Sequence, residues 1–492
     1  MTPAAPPVPA SWMRLGRLGL GALLLVAVAA SVALAFESPV YALVVPGLLI
    51  GGGMLSAMSR FPLGQLCGVM VLFGVTARLK EGLQVEEVVY AVYYLSYLGS
   101  WFATRLWVYR ERVFDTPLDI ALGLFLAYMT ASLGLTVLFG GSLSLARGDW
   151  IALSAFAFYF PIKEACARYR WGPWVVIGIV IYLGLFSFIR NLLTFSAAIQ
   201  DAEYAWQIAR GRVPMNEMLL FVPALGCLGF AARASGWTTR IVLTGGFALF
   251  SVGVILTQWR AYYVDLAFGV MLFVLLLEWR GRGRLVVLVG LSGLLGMGLG
   301  YLLFPGAMEL IVVGIFDRIL SIGTASTADV SLLNRFLESR SAWELIKQNP
   351  IAGYGIGTTF GFFDTIYNAT WVKSYIHNGY LLLWFKFGIV GLLLVLFAWA
   401  RAILAAHRVW RRREIADWER TLGLTVAIIL ISLIPSHFVS APFTTSDTVL
   451  TFALLMGTAA GLAKRVGDPS AAPTATDGTR EAGGRAPRAD AA

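Results

Sequence analysis

The stretch Asn378-Gly379-Tyr380-Leu381-Leu382-Leu383-Trp384-Phe385-Lys386-Phe387-Gly388-Ile389-Val390-Gly391-Leu392-Leu393-Leu394-Val395-Leu396-Phe397-Ala398-Trp399-Ala400 carries one charge, that of Lys386. About 20 apolar residues suffice for an α-helix to cross a bilayer, so 378–400 reads as a membrane span. Comparable runs lie near 15–36, 39–58, 62–78, 87–108, 117–139, 149–166, 172–190, 215–233, 239–258, 261–279, 284–304, 420–437 and 442–462. The reading is an all-α, polytopic transmembrane helical bundle of about 14 spans, with 12 as the alternative, because lipid obliges each segment to satisfy its own backbone.

Composition agrees. Of 492 residues, 58% are hydrophobic and 13% charged, where soluble domains carry roughly 25% charged residues. That excludes a water-soluble globular chain, a disordered one and a collagen-like one. The net charge of +10 is read as loop charge of a membrane protein, with no nucleic acid among its partners. Cys67, Cys166 and Cys227 lie within or beside apolar stretches and fit neither a disulfide framework nor a metal site.

Positive loops stay in the cytoplasm, and this sets the orientation. With the N-terminus inside, the inner loops hold most of the loop cations, among them Arg110, Arg112, Lys163, Arg168, Arg282, Arg408 and Arg412; Arg78, Lys80, Arg147, Arg190, Arg210, Arg212 and Arg260 fall outside. Both termini are then cytoplasmic. Arg14 and Arg17 before an apolar run leave a cleaved signal peptide as the alternative for the first span. The chain divides into N-terminal spans over 1–304, an outer loop or cap over 305–376, C-terminal spans over 377–465 and a disordered cytoplasmic tail over 466–492. In the cap, apolar positions 332, 333, 336, 343 and 346 recur at helical spacing and predict a helix over 331–347 with its apolar face on the membrane domain. Asn349-Pro350 stops it, and Gly353, Gly355 and Gly357 make a permissive turn. A second outer stretch, 191–214, is read as a shorter interfacial element.

Sequence signatures of zinc, thiol-redox, P-loop or serine-hydrolase chemistry are absent, and the three histidines are scattered. What remains lies at the outer boundary. His377 opens the span quoted above; it reads either as a general base, kept neutral by the helix dipole, or as an interfacial histidine bonded to a carbonyl. Arg260 and Arg190 lie at the outer ends of spans and read either as snorkelling residues or as cations facing a cavity. Lys386 is expected on the face opposite His377, packing or meeting a headgroup. Fixed guanidiniums and a base suit the departure of a diphosphate as a hydroxyl attacks.

His377-Asn378, nine residues and then Gly388-Ile389-Val390-Gly391 resembles the signature of the O-antigen ligase and O-antigen polymerase family of bacterial inner-membrane glycosyltransferases. Arg340-Ser341-Ala342-Trp343 followed by Asn349-Pro350-Ile351-Ala352-Gly353-Tyr354-Gly355 is similar to the family's arginine-tryptophan helix and glycine turn. The resemblance is strongest over about 240–400. Trp259 departs from it, standing where the family has a small residue before the span arginine.

The resemblance implies a metal-independent, inverting transfer of a glycan from undecaprenyl diphosphate to a sugar hydroxyl, without a cofactor, at the periplasmic face. It implies His377 as base and Arg260 beside it in the catalytic set, with Arg190, Arg335, Arg340 and Asn378 binding substrate. Partners on this reading are the lipid-linked donor, a glycan or lipid A core acceptor, membrane lipids, and chain-length-regulating or export proteins. A polymerase of O-antigen or exopolysaccharide is the leading expectation, a ligase the alternative, and a polysaccharide flippase or other secondary transporter the alternative from another class.

Overall fold

Seven helices long and apolar enough to cross a membrane stand among the described residues of the computed structural model, which is all-α apart from one small hairpin. The described residues are 62–76, 85–200, 217–304, 330–365 and 368–467, with 308, 309, 312, 313 and 316. The spans expected near 15–36 and 39–58, most of 305–329, the stretch 201–216 and the tail beyond 467 lie outside them.

The helices are α1 (Pro62–Thr76), α2 (Val85–Ala103), α3 (Pro117–Leu138), α4 (Leu143–Ser154), α5 (Tyr159–Arg168), α6 (Gly172–Gln200), α7 (Glu217–Arg233), α8 (Trp237–Leu256), α9 (Arg260–Leu276) and α10 (Trp279–Leu303). Then come α11 (Val330–Gln348), strands β1 (Phe360–Asp364) and β2 (Ala369–Lys373), and α12 (Gly379–Arg411), α13 (Asp417–Ser432) and α14 (Ser446–Gly467). The span expected over 149–166 is a relay, α4 passing through a 3₁₀ turn at Ala155–Phe158 into α5. The apolar windows of α13 and α14 are 78% buried and that of α10 only 17%, so α13 and α14 lie at the centre of the described helices and α10 at their edge.

α12 is broken where the sequence suggested one straight span. Gly388 has φ 61° and ψ −173°, a region open essentially to glycine alone. The break frees the carbonyls of Phe385 and Lys386 and the amide of Ile389. The chain after α11 closes the account: Tyr354 N–H donates to Phe385 O (2.9 Å), Gly355 N–H to Lys386 O (2.9 Å), and Ile389 N–H to Pro350 O (2.8 Å). Non-helical backbone at membrane depth is tolerated where protein satisfies it in this way. The approach is close on both sides. A Cβ on Gly353 would lie 2.4 Å from Gly388 N, and one on Gly388 would lie 1.9 Å from Ile351 O. Tyr128 OH on α3 and the Trp384 indole N–H donate to Ala352 O and Pro350 O and pin the same turn.

Lys386, expected on a packing or lipid face, is buried and paired with Asp149 on α4. Asp149 also accepts the Gly357 N–H at 2.8 Å.

At the end of the bundle opposite His377, a capping box starts α3: Thr116 Oγ1 accepts from Asp119 N, and Asp119 accepts from Thr116 N at 2.7 Å, with Pro117 at the first helical position. Asp119 is fully buried. It also takes hydrogen bonds from Tyr159 OH (2.6 Å) and Lys163 Nζ (2.7 Å). Lys163, expected in a loop, therefore sits on α5 inside the protein. Burial works against the Asp115 carboxylate, yet hydrogen bonds with Asp119, Lys163 and Lys464 outweigh it and hold the group well below the usual carboxylate range. The Asp115 carboxylate in this clasp of α3, α5 and α14 thus stays charged through the physiological range. Lys163→Met should strand the buried Asp119 charge at a cost of about 3–5 kcal/mol, read as a lower thermal midpoint in detergent. Asp119→Asn added to it should restore much of the loss, and an unchanged midpoint in the single variant would refute this account.

Candidate active site

α11 forms as expected, but the face it buries differs. Asn334, Glu338, Ala342 and Ile346 point inward, while Leu333, Phe336 and Trp343 are at least 39% exposed. The cause is a hairpin that helical periodicity could not announce. β1 and β2 pair antiparallel with Phe360 opposite Lys373 and Phe362 opposite Trp371. Asn334 Nδ2 donates to Asp364 at 2.6 Å, and Thr365 N–H donates to Asn334 Oδ1 at 3.0 Å. Polar residues can face inward on α11 because the hairpin meets their hydrogen-bonding needs.

His377 lies just before α12. Asn378 caps that helix, its Oδ1 accepting from Tyr380 N (3.1 Å) and Leu381 N (3.0 Å). That use of the side-chain oxygen explains the asparagine as a cap. The His377 ring is half-buried, with Nδ1 2.9 Å from Glu338 Oε2 and 3.2 Å from Oε1. The His377 backbone N–H donates to the same carboxylate. Glu338 is 2% exposed, and Lys373 Nζ stands 3.5 Å from its Oε2. Lys373 is also held over the rings of Phe362 (4.4 Å) and Tyr375 (5.4 Å). The Tyr375 ring meets the imidazole edge-on at 5.2 Å.

The two cap arginines part company. Arg335, one turn before Glu338, reaches inward and donates to Val439 O at 2.6 Å. Arg340 lies on the exposed face with Leu333 and Phe336. Arg260 is half-buried at the first residue of α9, behind the N-cap Trp259 and Gln258 with φ 55°. One and a half turns further, Asp265 accepts the Ser436 N–H at 3.2 Å. The 434–439 segment also receives the start of α12, where Tyr380 OH donates to Ile434 O at 3.0 Å and its ring packs on Phe438 at 4.8 Å. Through this bridge Arg260 and His377 begin their helices at the same end of the bundle.

Arg190 is half-buried on α6, 5.9 Å from the Phe186 ring. Buried acids that the sequence reading did not include stand on three helices, Glu217 on α7, Asp265 on α9 and Asp447 on α14. His437 is fully buried. It donates from Nδ1 to Leu433 O at 2.6 Å within a cage of Trp399, Phe443 and Phe452. Among the described residues no group of three or more His, Cys, Asp or Glu side chains is placed to hold a metal ion.

Glu338 was missed because it lies 39 residues before His377 in the chain, and no local spacing joins the two. Its only trace in the sequence is that it stands in the predicted cap helix.

Fold and site define an α-helical integral membrane protein whose cap brings a carboxylate onto a histidine at a helix mouth. Residues 245–396 match the family described as O-antigen ligase. A curated protein described as an O-antigen ligase, from Salmonella typhimurium (strain LT2), is 32% identical over 108 residues, covering 20% of this chain and 26% of the relative. The chain thus spans about a quarter of the length of that relative.

Proposed function

We propose that this protein transfers a glycan from undecaprenyl diphosphate to a sugar hydroxyl at the periplasmic face of a bacterial inner membrane. The observation that carries the reading is that one family match, 245–396, contains Arg260, α11 and His377 together. In the reaction, His377 removes the proton of the acceptor hydroxyl as its oxygen bonds to the anomeric carbon. The bond from that carbon to the diphosphate breaks with inversion, and the electron pair leaves on the diphosphate oxygen. Arg260 and Arg190 meet the developing charge, Arg335 supports the cap over it, and the transfer proceeds without a metal or other cofactor. The excess of cations on the opposite loops supports cytoplasmic termini and a periplasmic cap over 305–376, with about 14 spans in all.

Polymerisation of O-antigen or exopolysaccharide repeats is the leading form of the reaction. The second form is that of a ligase, transfer of a finished chain to the lipid A core. A deletion strain separates them: single repeats at the surface indicate a polymerase, and full-length polymer left on the lipid carrier a ligase. Repeats trapped inside would indicate a flippase and overturn both.

Arg260→Lys keeps the charge but not the planar fork of donors, and should lower transfer by about 10- to 100-fold in the purified enzyme. Chelator added to the same assay should change nothing. Wild-type rates in the lysine variant would remove Arg260 from the reaction.

A further inference from the structure

We infer that Glu338 is the positioning residue of this site: by accepting the Nδ1–H of His377 it fixes one tautomer and one ring orientation, leaving the Nε2 lone pair for the incoming hydroxyl. The inference rests on the reading of His377 as the base. Glu338 is 2% exposed, and a carboxylate is costly to bury unless it is paired and hydrogen-bonded. Here its partners are His377 and Lys373. The backbone N–H and the ring Nδ1 of His377 both address it, and Lys373 Nζ stands 3.5 Å from Oε2.

A carboxylate accepts and does not donate, so the single proton of a neutral imidazole belongs on Nδ1. Attachment through both backbone and ring leaves the imidazole little freedom to turn, while His377 keeps 26% of its side-chain surface open. When the acceptor O–H proton arrives at Nε2, the ring carries both protons and a positive charge. Glu338 then lies against that charge through the same hydrogen bond, which strengthens as the charge develops. Glu338 touches neither donor nor acceptor and acts through His377.

The test uses the full chain in lipid nanodiscs with a fluorescent undecaprenyl-diphosphate-linked repeat unit as donor. Glu338→Ala should lower kcat by about 10²- to 10³-fold while the KM for the donor stays within about twofold, and Glu338→Asp should recover part of the rate. ¹⁵N spectra of the labelled imidazole should show Nδ1 protonated in the wild type and a mixture of tautomers in Glu338→Ala. Where the alanine variant fails to accumulate, the isosteric Glu338→Gln supplies the kinetic measurement, with kcat again lowered at unchanged KM. A wild-type kcat in Glu338→Ala, a loss carried by KM alone, or a wild-type ring protonated on Nε2 would each overturn the positioning role. His377→Ala separates the two levels. If it is inactive while Glu338→Ala runs at the wild-type rate, only the positioning role falls; if it retains transfer, the base assignment falls and this inference with it.

Discussion

His377→Ala should abolish glycan transfer, by at least about 10³-fold, while the protein inserts and accumulates as the wild type does. The size follows from what a positioned base supplies, typically 10²- to 10⁴-fold, with little left to replace it. Among the described side chains touching the imidazole, Glu338 is committed to it and Tyr375 presents an aromatic ring. Accumulation should survive because His377 is half-buried and precedes α12, whose start is capped by Asn378. Removing the ring leaves that cap in place. The measurement is transfer to a glycan acceptor, paired with a membrane immunoblot. Normal transfer at normal abundance would remove the base assignment; loss of both together would mean that the histidine serves folding.

Gly388→Ala should be among the most damaging single-carbon changes in the described membrane domain. A Cβ there would lie 1.9 Å from Ile351 O and 2.3 Å from Ile351 C, both backbone atoms with no flexible end to swing away. The backbone at φ 61°, ψ −173° is itself closed to alanine. Strain and clash together should exceed about 3 kcal/mol, read as loss of the protein from membranes or a sharply lower thermal midpoint in detergent. Gly290→Ala on α10, with nothing within 4 Å of the added carbon, is the matched control and should be neutral. The consequence reaches the site, because the 350–355 turn that plugs the break directly follows α11. That turn fixes the helix bearing Glu338 against the helix that His377 precedes. An alanine variant as stable as wild type would mean that the break is not held as described.

The glycine turn and the Gly388-Ile389-Val390-Gly391 signature were read as two separate motifs. In the fold they are two halves of one joint, and this accounts for why both need glycine. No sequence distance reveals that partnership, since it consists of backbone hydrogen bonds between segments more than thirty residues apart. The cap helix shows the opposite limit. Its existence over 331–347 was legible from periodicity, whereas its orientation was not. Leu333 and Phe336 suggested an inward apolar face, yet satisfied polar contacts from Asn334 and Glu338 turned the helix the other way.

By itself the sequence determined that this chain lives in a membrane as a helical bundle, because the bilayer penalises unsatisfied backbone so heavily that long apolar runs have one outcome. It also supplied the few polar residues that stand between the apolar runs, with His377 expected as the base only by resemblance. Tertiary structure alone decided that Glu338 holds His377, that Arg335 turns in while Arg340 turns out, that Lys386 pairs with Asp149, and that α12 is broken rather than straight. These outcomes depend on which distant groups meet each buried donor and acceptor, and such meetings are set by packing across the whole bundle rather than by periodicity within one segment.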